Sequence, residues 1–203
     1  MILIAAAALF LNSVDDFYPT SPGSHWVYED KENSVTIEET AGKPVEIKKG
    51  FSAIPITSII GGKDAGKMFY KASADTIHLV AFQAPGKTEI DLLPEPQPIV
   101  KIEDDLNSDW AFQGQLPSAL GPVAFYVKGQ LRKGPKTTVL GNEVDTVKAV
   151  ITSDVGGGKS ATHIRQEAIY ARGIGLVEMK ETSKSSGSQS KRYLKLVSFD
   201  PAK

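Results

Sequence analysis

The stretch Ser34-Val35-Thr36-Ile37-Glu38-Glu39-Thr40-Ala41-Gly42-Lys43-Pro44-Val45-Glu46-Ile47-Lys48 decides the fold class. Val35 and Ile37 alternate with Ser34, Thr36 and Glu38, the period-two pattern of a strand with one buried face. Val45 and Ile47 alternate with Glu46 and Lys48 in the same way. Ala41-Gly42-Lys43-Pro44 between them is a turn, because Gly and Pro break regular structure on either side of it. A short β-branched strand, a turn and another short strand make a unit that recurs along the chain.

Working outward, 68–72 and 76–82 predict a hairpin around Ser73-Ala74-Asp75, and 88–92 a further short strand. Pro94, Pro96 and Pro98 predict an extended, polyproline-like connector and forbid a central strand there. Strands are then predicted at 110–115, 123–132, 144–153, 161–171, 176–181 and 192–199. Residues 183–190 are dominated by serine and predict a mobile loop between the last two. Each half opens with a proline-containing extended segment, then Trp26 or Trp110, then Tyr28 or Phe112 two residues on. Such spacing predicts an all-β domain, a strongly curled antiparallel sheet or half-barrel, with little helix beyond the N-terminus.

At the N-terminus, residues 2–11 are wholly apolar and give way abruptly to Asn12, Ser13, Asp15 and Asp16. Ten apolar residues are too few to span a bilayer but suit the apolar region of a signal peptide. No basic residue precedes Ile2. The expectation is a signal peptide over 1–13, cleaved near Ser13. A single all-β domain over 14–203 would then be exported to the periplasm or the extracellular space, with no transmembrane anchor once the leader is removed. A chain of 203 residues buries a core without disulfide or metal.

Composition narrows the function classes. There is no cysteine, which excludes disulfides, thiolate metal sites, thiol nucleophiles and a cysteine-linked lipid anchor. A net charge of −1 leaves no electrostatic footprint for nucleic acid. Two glycine-lysine clusters approach a phosphate loop and each fails at a needed position. Gly61 to Met68 has Met68 where a hydroxyl must reach Mg²⁺, and Ser153 to Ser160 has Ser153 in place of the first glycine. Asp105, Asn107 and Asp109 begin a calcium-loop spacing, but Trp110 and Leu116 replace its glycine and bidentate glutamate. His25, His78 and His163 fall in three separate segments with no metal-ligand spacing. No Gly-x-Ser-x-Gly elbow is present. No catalytic residue, metal ligand or cofactor is assigned from the sequence.

Three patches carry a resemblance. They are Pro22-Gly23-Ser24-His25-Trp26-Val27-Tyr28 after Tyr18-Pro19, residues 139–147, and Ile169-Tyr170-Ala171-Arg172-Gly173-Ile174-Gly175-Leu176-Val177. In this order they resemble a broad group of secreted bacterial all-β proteins of unknown function. That group has a Pro-Gly-x-x-Trp-x-Tyr opening and a Tyr-Ala-x-Gly-x-Gly-Leu-Val closing; here Asn142-Glu143-Val144 lacks the aromatic of its middle segment. The resemblance implies a curled antiparallel sheet similar in outline to periplasmic lipoprotein carriers, and no known reaction. Physically, Pro22-Gly23 launches a strand, Trp26 and Tyr28 share one face, and Gly173 and Gly175 mark a bend.

The functional expectation is a non-enzymatic envelope or secreted protein that binds an apolar ligand, such as a lipid, on the concave face of its sheet. Apolar residues on both faces motivate it: Tyr193, Val197 and Phe199 oppose Leu194 and Leu196, and Val150 opposes Ile151. The alternatives are a structural or interaction domain that docks an envelope protein, and an unrecognised hydrolase.

Overall fold

The computed structural model describes residues 14–18, 20–103, 105–116, 123–157 and 161–202. The expected signal peptide over 1–13, Pro19 and the Gly158-Lys159-Ser160 end of the second glycine cluster lie outside these residues. A single helical turn, α1 (Val14–Phe17), precedes an otherwise all-β chain.

The first half contributes β1 (His25–Asp30), β2 (Val35–Ala41), β3 (Val45–Lys48), β4 (Phe51–Ile60), β5 (Lys63–Ala72), β6 (Thr76–Gln83) and β7 (Asp91–Lys101). The second contributes β8 (Ser108–Leu116), β9 (Val123–Lys133), β10 (Thr137–Val139), β11 (Asn142–Val144), β12 (Thr146–Val155), β13 (Thr162–Ala171), β14 (Gly175–Ser185) and β15 (Ser188–Asp200). They build a 13-stranded antiparallel sheet in the order β7-β6-β5-β4-β2-β1-β15-β14-β13-β12-β9-β8, with β3 added on β4. Chain neighbours are therefore ladder neighbours almost throughout, and the first and last strands pair with each other. The sheet curls until β7 and β8, its two free edges, face one another. Ser108 Oγ donates to Lys101 O at 2.5 Å across that seam. Both halves follow one plan: a Trp-bearing strand, its partner, an accessory β element (β3, or the β10–β11 hairpin), then four more strands.

The seam falls where the prolines are. Pro94, Pro96 and Pro98 lie at alternate positions of β7 and so remove amide donors along one side of it. The segment is thus a strand, not a free connector, but a strand with one ladder partner, β6. The expected strand at 88–92 is displaced: 88–90 are irregular and pairing begins at Asp91. The serine tract is no mobile loop. β14 and β15 continue through it to a two-residue turn at Ser186-Gly187, where Gly187 has φ 80° and Ser185 pairs with Ser188.

β4 is the strand that sequence patterning passes over, since Pro55 sits inside it. Residues 51–53 pair with β3 and residues 56–60 with β2, so Pro55 falls where the strand changes partner. Its carbonyl still accepts from Gly42 N at 2.8 Å. A Cβ on Gly42 would come within 2.8 Å of Pro55 Cγ, so this junction needs glycine.

The interior is one large apolar cluster built from alternate residues of nearly every strand, including Tyr28, Ile77, Leu131, Val147, Ala171 and Leu196. Phe17 of α1 joins it, fully buried beneath the Arg172 guanidinium, which lies 4.8 Å from the ring centre. A smaller cluster of Ala53, Phe69, Val80 and Ala81 sits outside β4–β6, covered by Ile47, Phe51 and Ile90. The outward face of β12–β14 is charged, with Lys148–Glu167 at 3.2 Å, Arg165–Glu167 at 3.0 Å and Lys180–Glu178 at 3.4 Å. This apolar-in, charged-out arrangement is the reverse of an outer-membrane barrel, whose lipid-facing band is apolar. No helix among the described residues is long and apolar enough to cross a membrane.

One facing assignment changes. A β-bulge between Val27 and Tyr28 sets Trp26 opposite Phe199 but Tyr28 opposite Leu196. It turns Phe199 onto the face of Leu194 and Leu196, where its ring stacks on Trp26 at 5.6 Å, while Val197 stays 47% exposed.

Candidate functional site

Several strands send an aromatic or charged side chain into one interior space. On β1 the inward positions are Trp26, Tyr28 and Asp30, because three alternate residues share a face. On β2 Glu39 stands in phase with Ile37. On β15 Arg192 stands in phase with Leu194. β5 adds Tyr70, β13 adds Tyr170, and the chain after α1 lays Tyr18 between those two rings, at 5.8 Å from Tyr70 and 6.1 Å from Tyr170. Trp26, Tyr28, Glu39, Arg192 and the three tyrosines border a cavity of about 230 Å³, with Asp30 behind Arg192. A second space of about 420 Å³ adjoins it toward Ser58, Ile60 and Phe82. Glu39, Met68 and Arg192 border both spaces, and Met68, 48% exposed, stands at the mouth.

The electrostatics of this space are uneven. Burial pushes the Glu39 carboxyl up, and the Arg192 guanidinium and a Ser58 hydrogen bond offset that only in part. Burial also raises all four phenols, those of Tyr18, Tyr28, Tyr70 and Tyr170, and the Glu39 carboxylate adds to each. All four therefore stay neutral and keep a donor hydrogen. Arg192 faces a second acid: its Nε lies 3.4 Å from Asp30 Oδ2. Burial raises Asp30, but hydrogen bonds from Asn33 Nδ2 at 2.8 Å and from the amides of Tyr193, Asn33 and Glu32 outweigh it, leaving the carboxyl below its usual range. Arg192 thus serves two acids, pairing with Asp30 and also acting on Glu39.

The candidates weighed from sequence lie elsewhere. Gly61-Gly62 is the two-residue turn of the β4–β5 hairpin, both glycines at positive φ, 56° and 75°. Asp109 is drawn to Arg132, whose Nη2 donates to both carboxylate oxygens at 2.9 and 3.0 Å, while Asp105 Oδ1 accepts from Asn107 N. These acids close a turn and brace a strand edge. The histidines stay apart: His25 Nδ1 lies 2.9 Å from Thr40 Oγ1, His163 Nδ1 2.5 Å from Asp154 Oδ1 on the exposed face, and burial lowers His78. Among the described residues no group of three His, Asp or Glu is placed to hold a metal. The interior site itself went unassigned from sequence. Its legible signals were Trp26 and Tyr28 on one face, and two charges, Glu39 and Arg192, in phase with apolar positions.

The class that emerges is a nearly closed, curled antiparallel sheet with an aromatic interior site. Among solved structures it is similar to one described as a "putative lipoprotein" of Parabacteroides distasonis ATCC 8503. That match has a TM-score of 0.51 at 12% identity, covering 91% of this chain and 98% of that one. It is also similar to a "putative exported protein with YmcC-like fold" of Bacteroides fragilis NCTC 9343, with a TM-score of 0.45 at 10% identity, covering 91% and 99%. At such identities the likeness is one of fold. No family model and no curated protein matches the sequence.

Proposed function

We propose that this chain is a non-enzymatic envelope or secreted protein that holds a small, largely apolar ligand inside its curled sheet. The observation that carries this is the pair of adjoining interior spaces meeting at Glu39, Met68 and Arg192. The outer one alone falls in the usual range for small-molecule sites, about 300–1,000 Å³. Apolar walls with a few convergent polar groups are the usual make-up of a binding site. The surrounding interior is filled by side chains, so the space suits a single chain or a compact amphiphile better than a two-chain lipid.

Export is supported by the apolar run at 2–11 and by the fold shared with the structure described as a "putative lipoprotein". The test is purification from the native envelope, followed by mass spectrometry of organic extracts from wild type and Met68→Arg. A recurring small apolar compound in wild type, depleted in the variant, is the expected result. Repeated recovery of empty protein, together with no uptake of a fluorescent naphthylamine probe, would overturn it.

A further inference from the structure

The inner cavity has a composition that an apolar ligand alone does not call for. Five aromatic rings, Tyr18, Trp26, Tyr28, Tyr70 and Tyr170, line it together with one carboxylate, Glu39. We propose that this cavity receives a compact organic cation, an alkylated ammonium group, as the polar end of the ligand. The proposal rests on the reading of the interior as a ligand site and specifies its chemistry.

The argument is one of charge and of ring faces. Aromatic faces carry negative quadrupole potential, and several around one space favour an alkylated ammonium over a neutral group of equal shape. The Tyr18 ring is tilted against both Tyr70 and Tyr170, so these rings form a continuous wall. The charged groups around the cavity are few. Arg192 from β15 is engaged with Asp30. Gln166 from β13 donates to Glu181 at 2.6 Å and is neutral. The four phenols are neutral. Lys67, at the border of the outer space, lies beside Asp64. Glu39 is thus the one carboxylate on the cavity wall; Arg192 offsets its burial only in part, and ionisation stays unfavourable until a further cationic partner arrives. A cation in the cavity supplies it. An anion would meet Glu39 and the negative ring faces with an arginine already committed.

The test is calorimetric titration of the full chain with choline and with its uncharged carbon isostere, a tert-butyl-substituted ethanol. Choline is expected to bind about tenfold tighter or more. Its affinity should rise with pH as Glu39 ionises, while that of the isostere stays flat. Glu39→Gln should remove most of the preference for choline over the isostere. Tyr70→Leu, which keeps the carboxylate, should reduce it severalfold, with circular dichroism confirming that both variants fold. Equal or tighter binding of the isostere, or a preference that survives Glu39→Gln, overturns the proposal. Uptake of a naphthylamine probe with no binding of choline also overturns it but leaves the apolar-ligand reading standing. Failure of all three probes removes both.

Discussion

Trp26 Nε1 donates a hydrogen bond to the backbone carbonyl of Ile174 at 2.6 Å, joining residues 148 apart in sequence. Trp26 belongs to the Pro-Gly-x-x-Trp-x-Tyr opening, and Ile174 is the centre of the Gly-Ile-Gly bend that ends β13. Gly173 and Gly175, at φ 73° and 98°, give that bend the shape that aims the carbonyl at the indole. The β13–β14 bulge between Ile169 and Tyr170 lies beside it. The two motifs are therefore one structural device that ties the first strand to the turn before the last hairpin.

Trp26→Phe keeps an aromatic face against Phe199 and removes the donor, leaving the Ile174 carbonyl unpaired. A loss of about 1–3 kcal/mol is expected. Urea denaturation should show a lower midpoint at unchanged m-value, because the surface exposed on unfolding hardly changes.

Glu39 makes stability fall with rising pH. Its carboxyl is raised in the folded state, so the native chain holds that proton more tightly than the unfolded one. The contribution is fully present below the unfolded value, about 4.3, and is lost as pH climbs through the folded value. Glu39→Gln should flatten this limb and be more stable than wild type at neutral pH. Melting temperatures from pH 4 to 8 would show the two curves converging at the acid end; parallel curves would contradict it.

Asp30 works in the opposite direction. Its carboxyl is lowered, because hydrogen bonds from Asn33, Tyr193 and Glu32 outweigh the effect of burial. Its stabilisation is present above the unfolded value, about 3.9, and is lost as pH falls through the folded one. Asp30→Ala strands those donors and leaves Arg192, a third exposed, without its partner. A cost of about 2–3 kcal/mol is expected, smaller below pH 3 than at pH 7. Chemical denaturation at the two pH values measures it.

The fold was legible wherever alternation was clean. Val35 and Ile37, Leu194 and Leu196, and the turn glycines predict strands and reversals that the sheet contains. Local pattern failed where a strand depends on its neighbours. Pro55 is tolerated only because β4 changes partner there, and the serine tract is ordered by the pairing of β14 with β15, which no propensity in 183–190 announces. Bulges were invisible too, and one of them moved Phe199 to the opposite face. The interior site was half legible. Glu39 extends the phase of Val35 and Ile37, and Arg192 that of Leu194 and Leu196, so each is a charge on an apolar face. Their convergence with Tyr18, Tyr70 and Tyr170 depends on sheet curl, which alternation along a single strand does not encode.

Trp110, the counterpart of Trp26 in the second half, is held in another way. Its ring lies flat over Gly129 of the paired strand, where an added Cβ would come within 2.0 Å of Cε2 and 2.1 Å of Cζ2. Gly129→Ala must displace the indole, an overpacking cost of about 1–3 kcal/mol. Gly157→Ala, whose Cβ meets nothing within 4 Å, is the matched control and should be near neutral. Removing the ring supplies the decisive comparison. In a Trp110→Leu background the same glycine substitution should lose most of its penalty, so the double variant costs less than the two single changes added together. A fully additive result would mean that Gly129 is required for some reason other than the indole above it.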